Sequence, residues 1–79
     1  MDVRQRIGWN LRRMRKERDI TQEDFANASG FDRGYISGVE RGVRNPSALV
    51  LERIAEALEA DVSEFFDLSS AEATQRETQ

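Results

Sequence analysis

The stretch from Thr21 to Arg41 constrains the fold more than any other part of this chain, because it contains two helix-start signals separated by a glycine. Thr21 precedes a run with carboxylates in its first turn, and Asp32 precedes a second amphipathic run; threonine and aspartate are both favoured N-cap residues. Gly30 stands between the two runs, where a left-handed residue commonly ends a helix. The sequence therefore predicts two short capped helices joined by a tight turn.

Three further segments have the apolar periodicity of amphipathic helices. The first covers residues 2–18, Ser47 is the expected N-cap of a fourth helix, and Asp61 opens a short fifth helix with a capping-box pattern. The apolar stripe of the first helix is formed by Val3, Ile7, Leu11 and Met14. No segment shows the alternation of apolar and polar residues that is typical of a β-strand. We expect an all-α fold, a compact five-helix bundle in which helices 2 and 3 form a helix-turn-helix.

A length of 79 residues allows one domain. We expect it to span residues 1–68, followed by a polar and disordered tail at residues 69–79, which has no large apolar residue. A core of this size is marginally stable, and the chain has no cysteine for a disulfide or a thiolate metal site. The expected source of additional stability is therefore a second copy of the chain.

Catalysis is not expected from this composition. Histidine is absent, and we find no nucleophile–base pair, no glycine loop for phosphate and no plausible metal cluster. We therefore predict no enzyme activity, no metal and no cofactor. Apolar runs are too short for a membrane span or a signal peptide, and the lack of cysteine fits a reducing compartment, so a cytoplasmic location is expected.

Charge is distributed unevenly along the chain, although the total is only −3. Residues 1–50 contain ten basic and seven acidic side chains, whereas residues 51–79 contain two and eight. Because the field at a docking face matters more than the total, the acidic sum does not exclude a nucleic-acid partner.

The second capped helix has two unlike faces. Ile36 and Val39, with Tyr35 a turn earlier, form the apolar face. The opposite face is formed by Arg33, Gly34, Ser37, Gly38 and Arg41. A small, hydroxylated face with arginines at its ends can lie deep in the major groove of double-stranded DNA. This pattern predicts a helix-turn-helix that binds DNA.

The sequence from Ile7 to Phe66 resembles the phage repressor and Cro type of helix-turn-helix, the XRE-like, lambda-repressor-like family. The matching positions include Thr21-Gln22-Glu23, Gly30, Ile36-Ser37, Glu40-Arg41-Gly42 and Pro46-Ser47. Within it, residues 32–46 are similar to the recognition helix and following loop of restriction–modification controller proteins. Gly34 departs from that group, which commonly has threonine there, and the departure leaves the operator sequence open.

Gln22 and Arg33 are the first candidate DNA contacts. Gln22 lies in the first turn of helix 2, where N–H groups and a side-chain amide can hold a phosphate, and the resemblance implies a backbone contact. Arg33 lies near the start of helix 3, and its guanidinium can bind guanine O6 and N7 together. Ser37, one turn later, can reach a base edge or a phosphate. The alternative for each is an ordinary surface side chain.

Further contacts are expected around the end of helix 3. Tyr35 can pack at the edge of the core, place its hydroxyl on a phosphate, or do both. The resemblance places Arg41, Arg44 and Asn45 along the sugar–phosphate backbone, and Arg44 could instead enter a neighbouring groove.

Gly34 and Gly38 each cost about 1 kcal/mol relative to alanine inside a helix, which indicates that they have a purpose. Close approach of this face to DNA is preferred here over packing against a neighbouring helix, because both glycines lie away from Ile36 and Val39.

Two structural roles complete the expectations. The resemblance implies a largely buried salt bridge between Arg15 and Glu40. Phe65 and Phe66 are adjacent and point about 100° apart on a helix, so only one can face the core fully. The predicted dimer interface comprises Phe65, Phe66 and Leu68, and Trp9 either covers one end of the domain or joins that interface.

The resulting hypothesis is a homodimeric transcriptional regulator on a pseudo-palindromic operator, of the controller type. Two recognition helices related by a two-fold axis would enter successive major grooves about 34 Å apart. Depending on where the operator lies relative to a promoter, the bound dimer would block RNA polymerase or contact it from upstream. A phage-type repressor or an antitoxin is the near alternative. A helical protein-interaction module without specific DNA binding is the alternative of a different class, supported by the acidic total and the aromatic residues 65 and 66.

Overall fold

The computed structural model describes residues 2–68 of the chain. Four α-helices lie in this range: Val3–Glu17 (α1), Gln22–Ser29 (α2), Arg33–Glu40 (α3) and Ala48–Leu58 (α4). A 3₁₀ helix, Val62–Phe66, follows them. No strand occurs within residues 2–68, so the all-α prediction is confirmed for this part of the chain. The predicted tail, residues 69–79, lies outside the described residues.

Each α-helix begins where a polar side chain can cap it. The predicted caps Thr21, Asp32 and Ser47 are confirmed, because each accepts a hydrogen bond from a backbone N–H in the following turn. Asp2 caps α1 with a full capping box. The hydrogen bond from the side chain of Arg4 lowers the pKa of Asp2, which keeps this cap ionised. Local sequence thus determines where the helices start.

The fifth element differs from the prediction of an α-helix. Its backbone bonds are of the 3₁₀ type, from Glu64 N to Asp61 O at 3.0 Å and from Asp67 N to Glu64 O at 3.4 Å. The side-chain amide of Asn10, buried on α1, donates to the carbonyl oxygens of Phe65 at 2.9 Å and Asp67 at 3.0 Å. Because these carbonyls are bound to α1, the segment is held in a tight turn. The prediction of five helices is wrong in this respect.

The hydrophobic core draws on every element. Its buried side chains are Ile7, Leu11, Met14, Phe25, Ala26, Ile36, Val39, Leu51, Ile54, Ala55, Leu58 and Phe65. Val3 has the spacing of a core residue but is 50% exposed, because it lies in the first turn of α1, at the end of the apolar stripe. Leu49 is 73% exposed and lies on the side of α4 opposite Leu51 and Leu58. The core is therefore one continuous cluster in which α3 packs against α1 and α2.

Gly8 determines how closely α1 crosses α3. A Cβ atom at this position would overlap the carbonyl oxygens of Val39 and Glu40 at the end of α3. Glycine is the one residue type that lets the two backbones meet here, since every other amino acid carries a Cβ atom. The apolar periodicity gives no sign of this role. The only available signal is a glycine inside a predicted helix, which costs about 1 kcal/mol relative to alanine.

Replacing Gly8 with alanine should destabilise the protein. Alanine favours the helix by about 1 kcal/mol, but overpacking against a neighbouring backbone costs typically 1–3 kcal/mol, and a carbonyl cannot rotate away as a side chain can. Because both overlaps are with backbone atoms, the cost should lie in the upper part of that range, about 2–3 kcal/mol. We therefore expect a net loss of about 1–2 kcal/mol in the free energy of unfolding, measured by urea denaturation with circular dichroism. Asn27→Ala, on the exposed surface of α2, is the matched control and should not be destabilised. A Gly8→Ala protein as stable as the parent would contradict the close crossing.

Candidate nucleic-acid interface

A buried ion pair joins α1 to the end of α3. The guanidinium of Arg15 donates to both carboxylate oxygens of Glu40, from Nε to Oε2 at 2.8 Å and from Nη2 to Oε1 at 3.1 Å. The two side chains are only 10% and 4% exposed. Arg15 Nη1 also donates to the carbonyl oxygen of Ile20, 2.7 Å away in the turn before α2. One guanidinium therefore connects α1 to the end of α3 and to the turn that precedes α2.

Gln22 belongs to the same hydrogen-bond network. Its side-chain amide donates from Nε2 to Glu40 Oε1 at 3.1 Å, and the side chain is half-buried. The predicted contact between Gln22 and a phosphate stays a prediction. The structure adds that Gln22 is held in place by Glu40 before any partner binds. This hydrogen bond orients the first turn of α2 relative to the end of α3.

The outer face of α3 is open to solvent along most of its length. Arg33 and Gly34 are exposed at its start, Ser37 is half-buried one turn on, and Arg41 is exposed just beyond its end. The Asp32 cap leaves the N-terminal turn of α3 at the surface, with Arg33 immediately after it. This face is about two turns long and has no large apolar side chain, so it can enter a groove as the sequence predicts.

Two basic residues of α1 extend this face, and the sequence analysis did not select them. Arg12 and Lys16 are exposed and line an open cleft of about 350 Å³. The other lining residues are Arg15, Gln22, Ser37, Glu40 and Arg41. With Glu40 bound to Arg15, the cleft presents three exposed cations, a suitable surface for an anion such as phosphate. The i, i+4 spacing of Arg12 and Lys16, beside Arg15, was the available signal.

Both glycines of α3 have contacts within the chain. A Cβ atom on Gly34 would lie 2.8 Å from Oδ2 of Asp32, the carboxylate that caps the helix. A Cβ atom on Gly38 would lie 2.7 Å from Cγ of Arg44, whose side chain crosses the helix at that point, and Gly38 is buried. The side chain of Arg44 therefore occupies the space beside Gly38, and the predicted direct approach of DNA at this glycine stays a prediction.

Four side chains form a stack along this side of α3. The rings of Phe31 and Tyr35 lie 5.6 Å apart at an interplanar angle of 23°. The guanidinium carbon of Arg53 is 4.8 Å from the centre of the Phe31 ring, and that of Arg44 is 6.0 Å from the centre of the Tyr35 ring. Cations over aromatic faces are attracted by the ring quadrupole. Tyr35 thus packs at the edge of the core, where it is half-buried. Asn45, the residue after Arg44, is exposed in the loop that follows α3.

The predicted dimer residues separate into two groups. Phe65 is fully buried in the core of its own subunit, so its assignment to the interface is wrong. Phe66 and Leu68 are 40% and 45% exposed, an unusual state for large apolar side chains at neighbouring positions. Any contact with a second copy of the chain in this region would therefore involve Phe66 and Leu68.

Trp9 is a half-buried side chain of α1. It lines an open groove of about 520 Å³ with Arg12, Arg13, Lys16 and Glu17.

Within residues 2–68, no cluster of acidic side chains could hold a metal ion. None of the helices in the same range has the length and apolar character to cross a bilayer.

Comparison with known proteins matches the chain to helix-turn-helix regulators. The helix-turn-helix model HTH_3 matches residues 11–65. The chain is 45% identical over 58 residues to an uncharacterised HTH-type transcriptional regulator of Sinorhizobium fredii, covering 73% of this chain and 75% of that protein. It is 42% identical over 66 residues to the control protein C.MunI of a Mycoplasma species, covering 82% and 89%. It is also similar to the controller protein C.Esp1396I, solved as a tetramer with its natural 35 base-pair operator, with a TM-score of 0.75, 38% identity and coverage of 84% and 87%.

Removing the charge of Glu40 should lower the free energy of unfolding far more than removing the charge of an exposed carboxylate. Glu40→Gln leaves the buried guanidinium of Arg15 without its counter-charge, and breaking a buried pair typically costs about 3–5 kcal/mol. Glu17→Gln is the matched control, because Glu17 pairs with Arg13 on the surface at 57% exposure and such pairs contribute about 0–1 kcal/mol. Chemical denaturation of the two variants tests the difference. Equal stability would show that the ion pair does not hold α3 in place.

Proposed function

Because the chain belongs to the helix-turn-helix family, we propose that it is a sequence-specific DNA-binding transcriptional regulator of the restriction–modification controller type. The observation that carries the proposal is the exposed, small-residue face of α3, which ends in arginines and is clamped to α1 by the buried Arg15–Glu40 pair. A rigid helix with this surface can enter the major groove without rearranging the domain.

In the proposed complex, each exposed group has a distinct role. Arg33, at the leading end of α3, reads a guanine through paired hydrogen bonds, and Ser37 reaches a base edge or phosphate one turn further on. Gln22 binds the backbone near the start of α2. The cations of the cleft described above, on α1 and at Arg41, lie where a backbone phosphate can sit beside α3. Tyr35 and Asn45 contact the backbone on the other side.

A homodimer is the proposed binding unit. Phe66 and Leu68 supply the exposed apolar surface through which two copies pair. A two-fold axis then presents two α3 helices to successive major grooves about 34 Å apart, so the operator is a pseudo-palindrome. A dimer bound over a promoter blocks RNA polymerase, and one bound upstream can contact it.

The first test is selection of bound duplexes from a random DNA library with the purified protein. We expect a two-fold symmetric motif with half-sites about one helical turn apart. Affinity for the selected duplex should fall steeply as salt rises, because phosphate contacts release counterions. If the folded dimer selects no motif, the alternative hypothesis of a helical protein-interaction module without specific DNA binding replaces this proposal.

Arg33 and Lys16 should respond differently to substitution. Arg33→Ala should cost about 1–3 kcal/mol on the selected duplex and relax the preference at one base position in each half-site. Lys16→Ala should weaken binding almost equally on all duplexes and reduce the slope of log K against log salt by about 1. Binding titrations on the selected duplex and its single-base variants measure both effects. The docking orientation would be wrong if Arg33→Ala left the base preference unchanged.

The dimer should depend on Phe66. Phe66→Asp places a charge in the proposed apolar contact, and we expect a monomer by sedimentation at concentrations where the parent is a dimer. Val3→Asp is the control, because Val3 is 50% exposed and an acidic residue is favourable in the first turn of a helix. Dissociation of both variants, or of neither, would argue against Phe66 as the contact.

A further inference from the structure

The loop after α3 folds back onto the helix at Gly38. The carbonyl oxygen of Gly38 accepts hydrogen bonds from the backbone N–H of Val43 at 3.0 Å and of Arg44 at 3.3 Å. Gly42 permits this return, since its φ of 77° lies in the left-handed region that favours glycine. As a result, the backbone of Arg44 is anchored to the last turn of α3, and its side chain starts beside the helix.

The side chain of Arg44 then lies across Gly38 and ends at Tyr35. Its Cγ, Nε and Cδ atoms come within 2.7, 3.3 and 3.5 Å of the point where a Cβ on Gly38 would be. Its guanidinium carbon is 6.0 Å from the centre of the Tyr35 ring. Tyr35 is itself supported by Phe31, on which it stacks at 5.6 Å. Arg44 is thus held on one side of α3 while it stays exposed to solvent.

We propose that Gly38 is a positioning residue that acts on DNA through Arg44, whose side chain it seats against α3. The missing Cβ leaves a slot for the stem of Arg44, and Tyr35 supports the guanidinium. In this way, Arg44 is presented to DNA as part of the rigid surface of α3 instead of as a flexible loop side chain. A preorganised arginine loses less conformational entropy when it binds. This inference rests on the proposed DNA-binding function.

The competing explanation is that Gly38 is small so that DNA can approach the helix backbone there directly. The two explanations differ in what happens when Arg44 is absent. If Gly38 acts by seating Arg44, alanine at position 38 has nothing to displace in an Arg44→Ala protein. If DNA approaches Gly38 itself, the added methyl group obstructs binding whether or not Arg44 is present.

A double-mutant cycle on the library-selected duplex separates these explanations. Arg44→Ala should weaken binding about tenfold and Gly38→Ala about three- to tenfold. We expect the double variant to bind within about twofold of Arg44→Ala alone, because coupled residues do not act independently. Multiplicative losses in the double variant would overturn the proposal, and so would unchanged affinity in Gly38→Ala. Thermal unfolding of each protein checks folding; Gly38→Ala should remain folded, since alanine favours a helix more than glycine.

A second measurement needs no DNA and therefore separates this inference from the proposed function. The side-chain Nε–Hε signal of Arg44 in ¹⁵N NMR reports how ordered the guanidinium is. We expect an ordered side chain in the parent protein and a mobile one in Gly38→Ala, with Phe31→Ala giving a smaller change in the same direction. If the parent selects no DNA motif, the function fails while this result still decides the seating. Equal mobility of Arg44 in parent and Gly38→Ala would overturn the seating itself.

Discussion

The close crossing of α1 over the end of α3 is the constraint on which the other features depend. At Gly8 the two backbones meet without an intervening side chain, against the carbonyl groups of Val39 and Glu40. This proximity brings the Glu40 carboxylate within reach of Arg15, and the same carboxylate accepts a hydrogen bond from the Gln22 amide. A wider crossing would leave Glu40 charged and buried without its partner, at a high cost in free energy.

Polar side chains, and not only the apolar core, set the positions of the surface elements. Arg15 connects α1 to the end of α3 and to the turn before α2, and Asn10 binds the carbonyls at the end of the 3₁₀ segment. Hydrogen bonds are directional, whereas apolar packing tolerates some sliding. In a chain with a core this small, such contacts can define the orientation of a short helix. They explain how an eight-residue helix can present a well-defined face.

Local signals made much of the fold predictable, and long-range contacts account for what was not. The caps at Thr21, Asp32 and Ser47 depend on bonds within one turn, so sequence alone locates them. Gly8 and Asn10 make their contacts with α3 and the 3₁₀ segment, far away in sequence, and periodicity carries no trace of them. For the site, the outer face of α3 was predictable from helical spacing. The seat of Arg44 on Gly38 was not, because it depends on the path of the following loop.

The amide of Asn10 has a consequence for the geometry of a pair of subunits. Asn10 ties the segment that ends in Phe66 and Leu68 to α1, and Gly8, two residues earlier, ties α1 to α3. In a dimer joined through Phe66 and Leu68, α1 would therefore fix the distance between the dimer contact and the outer face of α3. The separation of half-sites that such a dimer can bind would depend on the position of α1, a helix that need not contact any base.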